Sequence, residues 1–134
     1  MRLLKILILE DDLLTLSKLI GKLSGLEERL SREKGIELSI LVLSEYKQVE
    51  KYINQDPNPE FDLILLDRDC KLGGSFHTLN LQKFGTDKIV GISSVPEYNE
   101  ALRKYGVTKL ILKDYQALDE FSDKLIALIE NSFT

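Results

Sequence analysis

The sequence predicts an α/β domain in which five parallel strands alternate with helices. Short apolar runs rich in leucine and isoleucine recur along the chain, and segments with apolar residues at helical spacing separate them. The runs are apolar throughout, without alternating polar residues, which is typical of strands buried on both faces of a parallel sheet. Five alternating units of this size suit the doubly wound strand order 2-1-3-4-5, with helices on both faces of the sheet.

The first two strands enclose a long helix. Strand 1 is predicted over about residues 3–9, and Asp11 or Asp12 is a natural N-cap for the helix that follows. Gly35 closes this helix near residue 32, and strand 2 is predicted over about 37–43. One stripe of the helix carries leucines at helical spacing: Leu16, Leu19, Leu23, Leu26 and Leu30.

The leucine stripe is longer than the length of helix that one small sheet is expected to cover. Its distal end, around Leu26 and Leu30, is therefore expected to contact a partner or a second copy of the chain, as in a homodimer. The alternative is that a bend at Gly25 folds this end back onto the core.

The middle of the chain is less regular. A helix is predicted over 44–52, capped by its first serine, and two prolines place a loop at 54–59. Strand 3 is predicted over 62–66. A glycine-containing loop at 71–75 then leads to a weak helix candidate over 76–84, where the apolar periodicity is poor.

The last two units are clearer. Strand 4 is predicted over 88–92, and Pro96 suits the first turn of the next helix, which Gly106 ends. The apolar positions of that helix are Tyr98, Ala101, Leu102 and Tyr105. Strand 5 is predicted over 109–112. The final helix has regular spacing at Leu118, Phe121, Leu125, Leu128 and Ile129.

Composition limits the class of protein. The 134 residues suit one domain over 1–134, with 43% hydrophobic and 30% charged residues. Net charge is −4, from 18 basic and 22 acidic residues, which argues against direct nucleic-acid binding. The single cysteine, Cys70, suits a reducing compartment. We expect a cytoplasmic protein without a membrane span, since there is no signal-peptide pattern and no apolar run of about 20 residues.

Four apolar runs stop abruptly on reactive polar residues. Because parallel strands all end at one edge of the sheet, these residues are expected to meet there, where such sheets bind ligands. The four endings are Glu10-Asp11-Asp12, Asp67-Arg68-Asp69, Ser93-Ser94 and Lys113-Asp114. Carboxylates, a hydroxyl and an ammonium together predict a divalent-metal and phosphoryl site.

Segments 5–12, 63–67, 90–94 and 106–113 resemble, in order, the four landmark segments of two-component response-regulator receiver domains. The resemblance implies the flavodoxin-like receiver fold and a stand-alone domain with no output domain. It also implies that Asp67 accepts a phosphoryl group from a histidine kinase or phosphotransfer protein. A receiver catalyses only its own phosphoryl transfer and dephosphorylation, and it signals through a downstream protein partner.

The same resemblance implies the roles of the remaining site residues. Ser93 takes the place of the hydroxyl residue that meets a phosphoryl oxygen, and Lys113 that of the lysine that pairs with another. Asp67 and Asp11 would coordinate Mg²⁺, for which Mn²⁺ can substitute, with Glu10 acting directly or through water. The backbone carbonyl of Asp69 would supply a further ligand.

Three departures from the receiver pattern concern the signal output. Leu110 stands where receivers commonly carry a switching aromatic residue, and Asp114 replaces the proline that usually follows the lysine. The loop after Asp67 also lacks its usual proline. The sequence therefore supports the phosphoryl chemistry better than the familiar output.

Other functions stay open at this point. An atypical receiver could be a phosphorylation-independent protein-interaction module, and each site residue taken alone could be a helix cap, a turn residue or a solvated strand end. An aspartate-nucleophile phosphatase would explain Asp67-Arg68-Asp69 as its Asp-x-Asp motif. That family places its nucleophile on the first strand and its acidic pair last, whereas here the acidic pair comes first.

Overall fold

The computed structural model of the chain describes residues 2–71 and 73–133. Its strands are β1 (Arg2–Leu9), β2 (Ile36–Leu43), β3 (Leu63–Leu66), β4 (Ile89–Gly91) and β5 (Lys109–Leu110). All neighbouring pairs are parallel, and the order is β2-β1-β3-β4-β5. The predicted fold class and strand order are confirmed.

The helices alternate with these strands. They are α1 (Leu13–Lys34), α2 (Tyr46–Gln48), α3 (Leu81–Phe84), α4 (Pro96–Lys104) and α5 (Leu118–Ser132). A π-helix, Val49–Asn54, continues directly from α2, and two 3₁₀ turns, Phe76–Thr78 and Thr86–Lys88, flank α3. No helix within 2–71 and 73–133 is both long and apolar enough to cross a membrane.

Helix α1 is continuous from its cap to its end. The Asp12 side chain accepts a hydrogen bond of 2.9 Å from the Thr15 N–H, which satisfies one of the free amides of the first turn. Gly35 adopts a left-handed conformation with φ of 65°, and its N–H bonds back to the last turn. Gly25 does not break the helix.

The expectation of an intermolecular contact at the distal end of α1 is wrong. Leu26 is 0% exposed and Leu30 is 1% exposed, because both pack into the core of the same chain. Ile36 of β2 and Ile129 near the end of α5 belong to the same buried cluster as these two leucines. The distal end of α1 is thus covered by residues outside the central strands. The leucine stripe is therefore the buried face of a long helix.

Two apolar cores cover the two faces of the sheet. Alternate residues of β1 divide between them, so that Ile6 and Ile8 face α1 and α5 while Leu7 and Leu9 face the other helices. The second core includes Leu102 of α4. Helices thus cover both faces, as the apolar strands require.

Ser44 does not cap the second helix. The Gln48 side-chain oxygen instead accepts hydrogen bonds from the backbone N–H groups of Ser44 and Glu45. The first turn is therefore stabilised by a residue of the helix itself, and the helix begins at Tyr46. The end of the π-helix is held by a different contact, in which the Asn54 side chain donates to the Thr78 carbonyl at 2.8 Å. Contacts distant in sequence therefore shape this irregular region.

Helix α4 lies very close to β4. A Cβ on Gly91 would stand 2.7 Å from a methyl carbon of Leu110 and 2.8 Å from one of Leu102, so only glycine permits this packing. The face turned inward carries Asn99 and Leu102, whereas Tyr105, expected among the apolar positions, is 73% exposed.

Candidate active site at the carboxyl edge of the sheet

Backbone pairing continues past the ends of the strands and aligns the site residues. The Asp67 N–H donates to the Leu9 carbonyl at 3.1 Å, which places Asp67 beside Glu10. At the other side, the Lys113 N–H donates to the Ser93 carbonyl at 3.0 Å. The four strand ends therefore reach one edge, as the sequence predicts.

Lys113 lies between two carboxylates. Its Nζ is 3.1 Å from Asp67 Oδ2 and makes a second, closer ion pair with Glu10 Oε1. All three residues are buried, with Glu10 0%, Lys113 2% and Asp67 7% exposed. We call these three residues the buried triad.

The electrostatics of the buried triad follow from two negative groups sharing one positive group. Burial, together with the charge of Asp67, raises the pKa of Glu10 from 4.5 to about 7 against the opposing effect of Lys113. Burial alone would lower the pKa of Lys113, but the attraction of Glu10 and Asp67 outweighs it and raises that pKa above its ordinary value. Lys113 therefore stays a cation, and the raised pKa of Glu10 brings the protonation change of that carboxyl near neutral pH.

The second carboxylate oxygen of Glu10 organises the start of α1. Glu10 Oε2 accepts the backbone N–H of Asp11 at 3.0 Å and that of Asp12 at 3.3 Å. Because Glu10 uses one oxygen for Lys113 and the other for these amides, it is both a charge partner and a loop anchor.

Two further acidic residues of this edge, Asp11 and Asp69, make contacts with the loop after β3. Asp11 accepts the Lys71 N–H at 2.5 Å, and Asp69 pairs with Arg68 at 2.9 Å in an exposed position. Among residues 2–71 and 73–133, no three Asp, Glu, His or Cys side chains are grouped to hold a metal ion. The oxygen donors are of the kind Mg²⁺ prefers, and one carboxylate oxygen of Asp11 is already engaged by the Lys71 N–H.

Ser93 is buried at the end of β4 and begins the turn into α4. Its hydroxyl oxygen accepts the Val95 N–H at 3.1 Å. This contact corresponds to the local capping role that a serine before Pro96 suggests, and it leaves the hydroxyl hydrogen free to donate to a ligand.

Asn99 is a site residue that the sequence analysis missed. Its side-chain oxygen accepts the Ser93 N–H at 3.1 Å, and its amide nitrogen donates to the Ser93 carbonyl at 3.4 Å and the Ile111 carbonyl at 3.5 Å. The available signal was its spacing, because Asn99 lies three residues before Leu102 on the inward face of α4. A polar residue at such a position needs a buried partner.

Replacing Asn99 with alanine is expected to lower the free energy of unfolding by about 2 kcal/mol, because the buried Ser93 N–H loses its acceptor. Urea denaturation measures the change. Asn131→Ala, at an exposed position in α5, is the matched control and is expected to change stability little. Equal changes in the two variants would contradict the positioning role of Asn99.

Cys70 and His77 lie beside the site, and burial shifts the pKa of each in the direction that favours its uncharged form. Burial raises the pKa of the Cys70 thiol to about 11, so the thiol stays protonated and poorly nucleophilic at neutral pH. Burial also lowers the pKa of His77 to about 4, so its imidazole is neutral.

Arg68 connects the loop after β3 with α4. Its guanidinium carbon lies 3.9 Å from the ring centroid of Tyr98, in the first turn of α4, while one of its nitrogens pairs with Asp69. Tyr98 is thus more than a packing residue of its helix, because it is the stacking partner of the residue next to Asp67.

The chain is similar in structure to the bacteriophytochrome response regulator AtBRR. The TM-score is 0.63 at 18% sequence identity, and the match covers 100% of this chain and 96% of that one. A fusion carrying a trimeric coiled-coil segment of yeast Spc42 also matches, with a TM-score of 0.55, 21% identity and coverage of 99% and 85%. No protein-family model and no curated protein matches the sequence. At these identities the likeness concerns the fold.

Proposed function

We propose that this chain, which has the fold of a response-regulator receiver domain, is a receiver that accepts a phosphoryl group on Asp67. The donor would be a histidine kinase or phosphotransfer protein, and the signal would pass on through contact with a downstream protein. The observation that carries the proposal is the buried triad, in which Lys113 holds Asp67 at the carboxyl edge of the sheet.

The residues of the chain suit the transfer step. An oxygen of the Asp67 carboxylate forms a bond to phosphorus while the bond from phosphorus to the donor's histidine nitrogen breaks, and the electron pair stays with that nitrogen. Lys113 remains a cation throughout and offsets the charge on the transferred group. The Ser93 hydroxyl donates to a phosphoryl oxygen. Attack by water on phosphorus later returns Asp67 and free phosphate.

The proposal includes a divalent cation, with Mg²⁺ the expected ion and Mn²⁺ a substitute. Asp11, Asp67 and the carbonyl of Asp69 would hold it, with Glu10 contributing directly or through water. A bound cation neutralises charge on the phosphoryl group. The donor types fit this role, since all are oxygens and two belong to carboxylates near each other at the same strand ends.

Mg²⁺ is expected to raise the melting temperature by mass action, and Asp11→Asn is expected to remove most of that increase, because Asp11 would be a direct ligand. Thermal unfolding with and without millimolar Mg²⁺ measures the effect. Asp87→Asn, an exposed change near the start of β4, is the control and should keep the full shift. An equal shift in Asp11→Asn would place the cation elsewhere.

The proposed function is tested by intact mass spectrometry after incubation with acetyl phosphate and Mg²⁺. The wild type should gain one phosphoryl group, with acetate as the leaving group, and Asp67→Asn should gain none. Asp69→Asn is the matched control, because its side chain pairs with Arg68 in solvent and only its backbone carbonyl is assigned a role. No gain in the wild type would contradict the proposal.

A second candidate function is a protein-interaction module that works without phosphorylation. It is favoured by the buried triad itself, whose charges are already paired within the protein, and by the bond from Lys71 to Asp11. A protein of this kind would bind its partner equally well before and after acetyl phosphate treatment, and Asp67→Asn would leave the binding unchanged.

A further inference from the structure

Two of the contacts that hold the start of α4 come from residues next to the phosphoryl position. The Ser93 hydroxyl oxygen accepts the Val95 N–H, just before the helix begins. Arg68, the residue after Asp67, stacks on Tyr98 in the first turn. Val95 makes no side-chain capping bond of its own. The first turn of α4 therefore relies on contacts with other segments, namely these two together with the hydrogen bonds of Asn99 to Ser93 and Ile111.

Leu110 cannot serve as a charge-sensitive residue. Its side chain packs against Gly91 and belongs to the second core, together with Leu102. It has no polar group with which to respond to a change at Asp67. A response to phosphorylation therefore needs another residue whose contacts depend on charge.

We propose that Arg68 senses the phosphoryl group on Asp67 by leaving the ring of Tyr98 and binding phosphoryl oxygens, which releases the first turn of α4. This inference rests on the proposed function. Arg68 would thus be a positioning residue that links the phosphoryl state to a helix on the protein surface.

The balance of contacts favours this movement. The Arg68 side chain is 37% exposed, and both its stack on Tyr98 and its pair with Asp69 are partly solvated contacts of a weak class. A phosphoryl group adds close to two negative charges and three strong acceptor oxygens at the neighbouring residue. A guanidinium matches such oxygens with two parallel hydrogen bonds, which are stronger than either present contact.

The same charge acts on Ser93. If the Ser93 side chain rotates toward a phosphoryl oxygen, its hydroxyl oxygen moves away from the Val95 N–H, and this bond is lost in addition to the stack of Arg68 on Tyr98. Two of the contacts at the first turn of α4 are then lost, while the hydrogen bonds of Asn99 to Ser93 and Ile111 remain. The response is thus confined to the turn after β4 and the first turn of α4, while α5, packed on the other face, keeps its contacts.

Tyr98→Trp provides a specific reporter, because the chain contains no tryptophan. With acetyl phosphate and Mg²⁺, its emission should shift to longer wavelength as the guanidinium leaves the indole and water replaces it. The shift should be lost when Arg68→Gln is added. Arg103→Gln is the matched control, since Arg103 lies in the same helix as Tyr98, its replacement removes the same charge, and its guanidinium pairs with Glu100.

Intact mass measured on the same samples separates the two hypotheses. A wild type without a phosphoryl group overturns the proposed function and the Arg68 switch with it. A phosphorylated protein whose emission does not shift, or shifts equally with Arg68→Gln, overturns the switch alone. Amide exchange of residues 95–98 in the chain with native Tyr98 gives the same decision without the reporter: exchange should rise on phosphorylation, and Arg68→Gln should abolish the rise.

Discussion

Replacing Lys113 with methionine is expected to lower the free energy of unfolding by about 3 kcal/mol near pH 8, because two buried carboxylates lose the cation that they share. The loss should be smaller near pH 5, since Glu10 can then bind a proton and the remaining charge falls to that of Asp67. Urea denaturation at the two pH values measures both effects. The same variant should lose phosphoryl incorporation, because no ammonium remains to offset the transferred charge.

Lys109→Met is the matched control for this change. Lys109 lies in β5, and its ammonium donates to the Asp87 carbonyl at 2.7 Å in an exposed position. Its replacement should cost less than about 1 kcal/mol at either pH. A Lys113 variant as stable as the control would mean that the buried triad contributes little to folding.

The second large effect is a dependence of stability on pH in the absence of metal. The folded state raises the pKa of Glu10 from 4.5 to about 7, so the folded protein binds this proton more tightly than the unfolded chain. Stability from this group is present below about pH 4.5 and is lost as pH rises through about 7, by up to about 3 kcal/mol.

Glu10→Gln tests this assignment. The variant keeps the shape of the side chain without the titrating group, so its stability should be nearly constant over the range in which the wild type declines. Chemical denaturation in a chelator at several pH values provides the comparison. Mg²⁺ should reduce the decline in the wild type, because a cation near the carboxylates favours their charged forms. A decline of equal size in Glu10→Gln would assign the titration to another group.

The sequence predicted the sheet and its reactive edge because both depend on local patterns. Apolar strands of this kind must be buried on both faces, and parallel strands must end together, so Asp67, Ser93 and Lys113 could be assigned to one edge before any contact was known. The order of the strands and the length of α1 up to Gly35 follow from the same patterns.

What the sequence could not predict depends on partners distant in the chain. Leu26 and Leu30 were expected to form an intermolecular contact, because the sequence does not reveal that residues of β2 and α5 cover them. The role of Asn99 could not be predicted because its partners are backbone atoms of Ser93 and Ile111, and every residue type has such atoms. The irregular helix after β2 likewise reflects contacts with the segment around Thr78.

The partners of the individual acidic residues could not be predicted from the sequence either. Glu10 and Asp67 are held by Lys113, while Asp11 is held by the loop after β3. A cation placed among these carboxylates would therefore compete with bonds that the protein already makes. The metal ligands proposed from the resemblance remain predictions that Asp11→Asn addresses.

The central claim is that Asp67 is the phosphoryl acceptor, and borohydride reduction followed by peptide mass spectrometry tests it most directly. Borohydride converts an aspartyl phosphate into homoserine, which marks the modified residue permanently. After acetyl phosphate and Mg²⁺, homoserine is expected at position 67 in the wild type and at no position in Asp67→Asn. Homoserine at Asp11, Asp12 or Asp69, or at no residue of the wild type, would contradict the account.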